Sequence, residues 1–110
     1  MELNEYQEKA SKTVVYPQVG GLGYIFPALG IAGEVGEVVE RMKKMVRDPN
    51  TRGAITDQDR EEMKGELGDV LWYISQIARE FDVSLEDIAE VNLKKIEKRL
   101  KEGSINEPRR

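Results

Sequence analysis

Apolar residues recur at helical spacing in four stretches of the chain. The first runs from about Leu3 to Val15, with Tyr6, Ala10 and Val14 four apart, and Tyr16-Pro17 ends it. A Gly-rich connection, Gln18 to Phe26, leads to Pro27, which suits the first turn of a second helix. That helix reaches about Arg47 and stops before Asp48-Pro49-Asn50. After a polar loop to Ile55, Thr56 is placed to cap a third helix, with Asp57 and Asp59 near its positive end, running to about Phe81. Ser84 with Asp87 opens a fourth, which ends near Gly103, and a polar tail follows. No alternating strand pattern and no internal repeat are found. The expected fold is all-α, an antiparallel bundle of about four helices.

Acidic residues sit beside the apolar stripes rather than opposite them. On the second helix Ile31, Val35, Val38, Met42 and Met45 form the stripe, extended by Ala32, Val39 and Val46. Glu34 lies at its edge and Glu37 one turn further on the same side. The third helix carries Met63, Leu67, Val70, Leu71, Ile74, Ala78 and Phe81 as its stripe, with Glu66 at the edge and Asp69 and Tyr73 beside it. Residues three apart on a helix are neighbours. If the two helices pack antiparallel, Glu34, Glu37, Glu66 and Asp69 converge at one edge of the seam. Four such carboxylates repel unless a hard cation joins them. The competing reading is four separately solvated side chains, since 21 of 110 residues are acidic. On the fourth helix Asn92, Lys95 and Arg99 line up near Ile88, an array suited to phosphates or a base edge, or else to a plain solvated face. Lys43 and Lys44 carry the same pair of readings. Trp72 falls away from the third helix's stripe and is expected at a subunit contact, with a substrate platform as the other reading. Gly20-Gly21-Leu22-Gly23 is expected to be a flexible connection, because neither a strand before it nor a Lys-Ser/Thr after it makes it a phosphate cradle.

Composition narrows the chemistry. A chain of 110 residues suits a single domain, taken here as 1–110 with its tail from about 103. With a net charge of −4 the chain is a poor general binder of nucleic acid. It has no Cys and no His, which removes disulfides, thiolate zinc sites and histidine acid–base catalysis. A metal site must use oxygen ligands, favouring Mg²⁺, Mn²⁺ or Ca²⁺. The long uncharged stretch from Thr13 is broken by Pro17, Pro27 and several glycines, so no membrane span is expected, and no basic leader opens the chain. The expected location is the cytoplasm.

Gly33-Glu34-Val35-Gly36-Glu37, then Glu66-Leu67-Gly68-Asp69-Val70-Leu71-Trp72-Tyr73, then Asn92-Leu93-Lys94-Lys95-Ile96-Glu97-Lys98-Arg99 follow one another in this short chain. In that order they resemble the MazG-type nucleotide pyrophosphohydrolases of the all-α NTP pyrophosphatase superfamily, whose motif pairs E-E-x-x-E with E-x-x-D and a later N-x-x-K segment. The resemblance runs from Tyr6-Gln7 through Arg99. It implies Mg²⁺-dependent hydrolysis, with Mn²⁺ as the alternative ion, of a nucleoside triphosphate to the monophosphate and pyrophosphate. It implies Glu34, Glu37, Glu66 and Asp69 as metal ligands, and Asn92 and Lys95 as substrate contacts with Tyr73 near the base. Lys95 and Arg99 are placed to hold the leaving pyrophosphate. Gly33 stands where the family's first acidic residue would be. The general base is expected to be Glu37, with Glu34 second. A homodimer or homotetramer is implied, completing the bundle, with no nucleic acid or membrane partner. Two other readings stay open: a non-enzymatic helical oligomer or partner-binding module, and phosphoribosyl-ATP pyrophosphohydrolase within the same superfamily.

Overall fold

A computed structural model describes residues 1–103 and contains α1 (Leu3–Ser11), α2 (Ile25–Arg47), α3 (Asp57–Glu80) and α4 (Leu85–Lys101). The polar tail beyond Gly103 lies outside the described residues. Among the described residues there is no strand, only an isolated bridge between Val19 and Leu22.

The caps read from the sequence are present. The Thr56 hydroxyl accepts from the Asp59 backbone N–H at 3.1 Å, and the Asp59 carboxylate accepts from the Thr56 N–H at 2.9 Å. This reciprocal box satisfies two otherwise unpaired backbone donors and holds the Asp59 carboxyl below its usual range, chiefly through the Thr56 backbone N–H. Ser84 accepts from the Asp87 N–H at 3.1 Å. Helix α1 ends four residues short of Val15. There the Ser11 and Thr13 hydroxyls bond the Glu8 and Ala10 carbonyls at 2.6 and 2.7 Å, closing the last turn. The Gly-rich connection is a closed turn. Gly20 and Gly21 have φ of 63° and 76°, and Val19 and Leu22 exchange both backbone hydrogen bonds. Two successive positive φ values are what a tight two-residue turn requires and what glycine supplies without strain.

The principal helix contacts run α2 to α3, α3 to α1 and α1 to α4. In the α2–α3 pair Gly30 lies opposite Tyr73, and Arg41 opposite Glu62 and Glu66, so the two helices are antiparallel. The face α2 turns inward is Ile31, Glu34, Val38, Arg41 and Met45, all half-buried. The expected stripe is therefore divided. Ile31, Val38 and Met45 pack inward, while Val35 and Met42, with Val39 and Val46, are 47–71% exposed. Likewise Leu67 and Phe81 of α3 are exposed at 52% and 65%. In the single chain the inward arc of α2 includes Arg41, which pairs with the α3 carboxylates Glu62 and Glu66.

Among the described residues the buried side chains are few: Ala10, Pro27, Ser75, Gln76, Ala78 and Leu85. Gln76 is wholly inaccessible and donates to the Ala10 carbonyl at 2.9 Å while accepting from Arg79 Nε at 3.1 Å. Such satisfied polar burial fixes the register of α3 against α1. Trp72 is engaged inside the chain rather than standing off it. Its Nε1 donates to Thr13 Oγ1 at 2.8 Å, and its ring meets Tyr16 edge-on at 6.0 Å. At the other end of α1, Gln7 Oε1 accepts from the Leu85 N–H at 2.9 Å and Asn4 Oδ1 from the Glu86 N–H at 3.2 Å, so α1 caps α4.

A Cβ at Gly30 would overlap the Tyr73 ring. Gly30→Ala therefore displaces that ring, at an overpacking cost of about 1–3 kcal/mol, against a helix-propensity gain of about 1 kcal/mol at most. The expected outcome is a net loss in urea denaturation and a changed Tyr73 environment in NMR.

Candidate metal centre

Antiparallel packing of α2 on α3 brings three of the four predicted carboxylates together. Glu34, Glu66 and Asp69 each offer an oxygen, and these oxygens all lie within 4.8 Å of one another. Glu34 and Glu66 are half-buried in the seam and Asp69 is exposed at its rim. Glu37 does not join this group. It is exposed, one turn along α2, and acts on the group through its charge. Burial pushes the Glu34 carboxyl above the usual carboxylate range, and the charges of Asp69, Glu66 and Glu37 push it the same way. The arrangement is a set of oxygen donors in mutual repulsion, which a hard cation would relieve.

Tyr73 stands one turn after Asp69 on α3. Its half-buried ring packs against the α2 backbone at Gly30 and meets Trp72 edge-on, with centroids 5.0 Å apart. Tyr16, stacked on Phe26 at 5.6 Å, extends this aromatic wall. Asn92 and Lys95 are exposed on α4 and make no hydrogen bond or ion pair among the described residues. Arg99 is half-buried. Helix α4 leans chiefly on α1 and not on the α2–α3 seam that holds the carboxylates.

Two residues near the cluster were not singled out as site residues from the sequence. Tyr6, read only as a packing position of α1, is desolvated and feels the Asp69 charge, and both effects raise its phenol above the usual range. Arg41 pairs with Glu62 through Nη1 and with Glu66 through Nη2, the latter at 3.8 Å. The available signal was its spacing: Arg41 follows Glu34 by seven residues, two turns along one face.

A carboxyl whose pKa is raised by folding holds its proton more tightly in the folded chain. Its contribution favours folding below the usual carboxylate range and is lost as pH rises through the raised value. Once ionised, Glu34 thus opposes folding while no cation is bound. Glu34→Gln is expected to raise the metal-free melting temperature at pH above the raised carboxyl value, with the gain shrinking as pH falls through it. Calorimetry across that range checks it.

Residues 27–104 match the model of the MazG nucleotide pyrophosphohydrolase domain. The chain is also similar to the "Gene 37 protein" of Mycobacterium phage L5, at 39% identity over 111 aligned positions, covering 96% of this chain and 94% of that protein. No solved structure matches significantly. The match includes both acidic segments and spans most of the sequence: the chain belongs to the MazG nucleotide pyrophosphohydrolase family.

Proposed function

We propose that the chain is a Mg²⁺-dependent nucleoside triphosphate pyrophosphohydrolase acting on the cytoplasmic nucleotide pool. The observation that carries this reading is the meeting of Glu34, Glu66 and Asp69 within 4.8 Å, in a family that is typically divalent-metal dependent. The donor set fits the ion. It is all oxygen, and Mg²⁺ at ~2.1 Å from each ligand needs oxygens roughly 3–4.2 Å apart, so a small closure suffices. Mn²⁺ accepts the same set. When bound, such an ion neutralises phosphate charge and makes water more acidic.

Glu34, Glu66 and Asp69 would hold the ion. Glu37, outside that group, takes the proton of the attacking water, with Glu34 as the alternative base. The water oxygen bonds to the α-phosphorus, the bond from that phosphorus to the bridging oxygen breaks, and pyrophosphate leaves. Asn92, Lys95 and Arg99 contact phosphate or base, and Tyr73 borders the base site. Self-association, part of the same proposal, would bring them to the site. The Val35–Val39–Met42–Val46 stripe is apolar and uncovered in the single chain. A second copy on this face gives a homodimer or homotetramer. The same stripe is what favours the second reading, a non-enzymatic helical oligomer.

Pyrophosphate release from a panel of canonical and damaged triphosphates, and from phosphoribosyl-ATP, separates these readings. The enzyme is expected to turn over at least one with Mg²⁺ and none in a chelator, whereas a scaffold is indifferent to both. Asp69→Ala should lower turnover by more than the ~10–100-fold that losing an outer-shell partner costs. Its helicity should be unchanged, because the side chain stands at the exposed rim of the seam. Full activity in Asp69→Ala removes the site assignment.

A further inference from the structure

Between Ile31 and Met45 the inward face of α2 carries one cation, Arg41, and its surroundings are acidic. The guanidinium pairs with Glu62, and its Nη2 lies 3.8 Å from Glu66 Oε1. All three side chains are largely withdrawn from water, with 26%, 34% and 20% exposure for Arg41, Glu62 and Glu66. Arg41 Nε is buried with no hydrogen-bond partner. An arginine kept half-buried with a donor unpaired is retained at a cost, and solvating it or replacing it by an aliphatic neighbour like Val38 or Met45 would avoid that cost. What its position supplies is positive charge beside Glu66, a member of the three-carboxylate group.

We propose that Arg41 is a resident counter-ion of the metal centre. It shares Glu66 with the ion, offsets part of the carboxylate repulsion before the ion arrives, and so weakens the ion's binding. The proposal rests on the metal reading above. Two opposite effects of such a neighbour are distinguishable. An outer-shell group that orients a ligand by a hydrogen bond strengthens metal binding, by about 10–100-fold. A nearby cation weakens it through repulsion. At 3.8 Å the contact with Glu66 is longer than a hydrogen bond, so it transmits charge and fixes little orientation. Repulsion therefore sets the sign. The tight partner of Arg41 is Glu62, which draws the guanidinium away from the centre.

The test is a titration of the full chain with Mg²⁺ and, separately, Mn²⁺, without nucleotide, read by calorimetry and by melting temperature. Arg41→Gln is expected to lower the half-saturating concentration about three- to tenfold, the effect of one charge roughly 6 Å from a divalent ion in water-like surroundings. It should also lower the metal-free melting temperature and enlarge the rise on adding metal. Arg41→Lys, which keeps the charge, should stay near wild type. Glu62→Gln releases the guanidinium toward Glu66 and should weaken binding, which keeps the test decisive if Arg41→Gln does not fold. Unchanged or weaker binding in Arg41→Gln, or tighter binding in Glu62→Gln, overturns the counter-ion role while leaving the metal reading standing. If the wild-type chain binds neither ion, the metal reading fails and takes this proposal with it.

Discussion

The seam between α2 and α3 holds like charges together against their repulsion. Most antiparallel helix pairs bury an apolar stripe against another. Here α2 and α3 turn Glu34, Arg41, Glu62 and Glu66 toward each other, with Asp69 at the rim. Desolvation and mutual repulsion work against that arrangement, and the raised Glu34 carboxyl records both. The packing persists because one guanidinium sits among the carboxylates and because Ile31, Val38, Met45 and the Gly30–Tyr73 contact supply ordinary packing at either side. A seam built this way trades stability for a concentrated negative field, a trade common where a site must accept a cation.

The orientation of α2 has a second effect. A helix has a limited inward face, and charge occupies part of this one, so the valines and Met42 of the neighbouring stripe are left toward water. The interior is correspondingly thin, and its most enclosed side chain is an amide, Gln76. Cohesion between α1 and α3 rests on directed bonds from Gln76 and Trp72 as much as on apolar burial.

The sequence was most legible where local rules decide. Helix number, the Thr56 and Ser84 caps and the stop at Arg47 follow from spacing and capping chemistry, and they are found as read. The pairing of Glu34 with Glu66 and Asp69 was also readable, since spacing put them on facing edges. What spacing did not give was rotation. Periodicity alone ranks Val35 and Met42 as inward, because it scores hydrophobicity and ignores the ion pair that Arg41 forms with a helix distant in sequence. The α1 terminus was misjudged because Ser11 and Thr13 end a helix through their hydroxyls, a contact invisible to an apolar pattern. Glu37 shares the spacing of its neighbours but stays outside the group, because three residues fall about 60° short of a full helical turn and carry it from the seam toward solvent.

The attachment of α4 makes it a lever. Asn4 and Gln7 grip its first backbone N–H groups and the preceding Val83 carbonyl, so its base is fixed to α1. The 17 residues of α4 extend about 25 Å from that fulcrum. A swing of roughly 10° at the base sweeps the far tip through ~4 Å, a span comparable to one coordination shell. The place of the exposed Lys95 along that span thus follows from the angle at which two amide side chains of the opening helix hold the closing one.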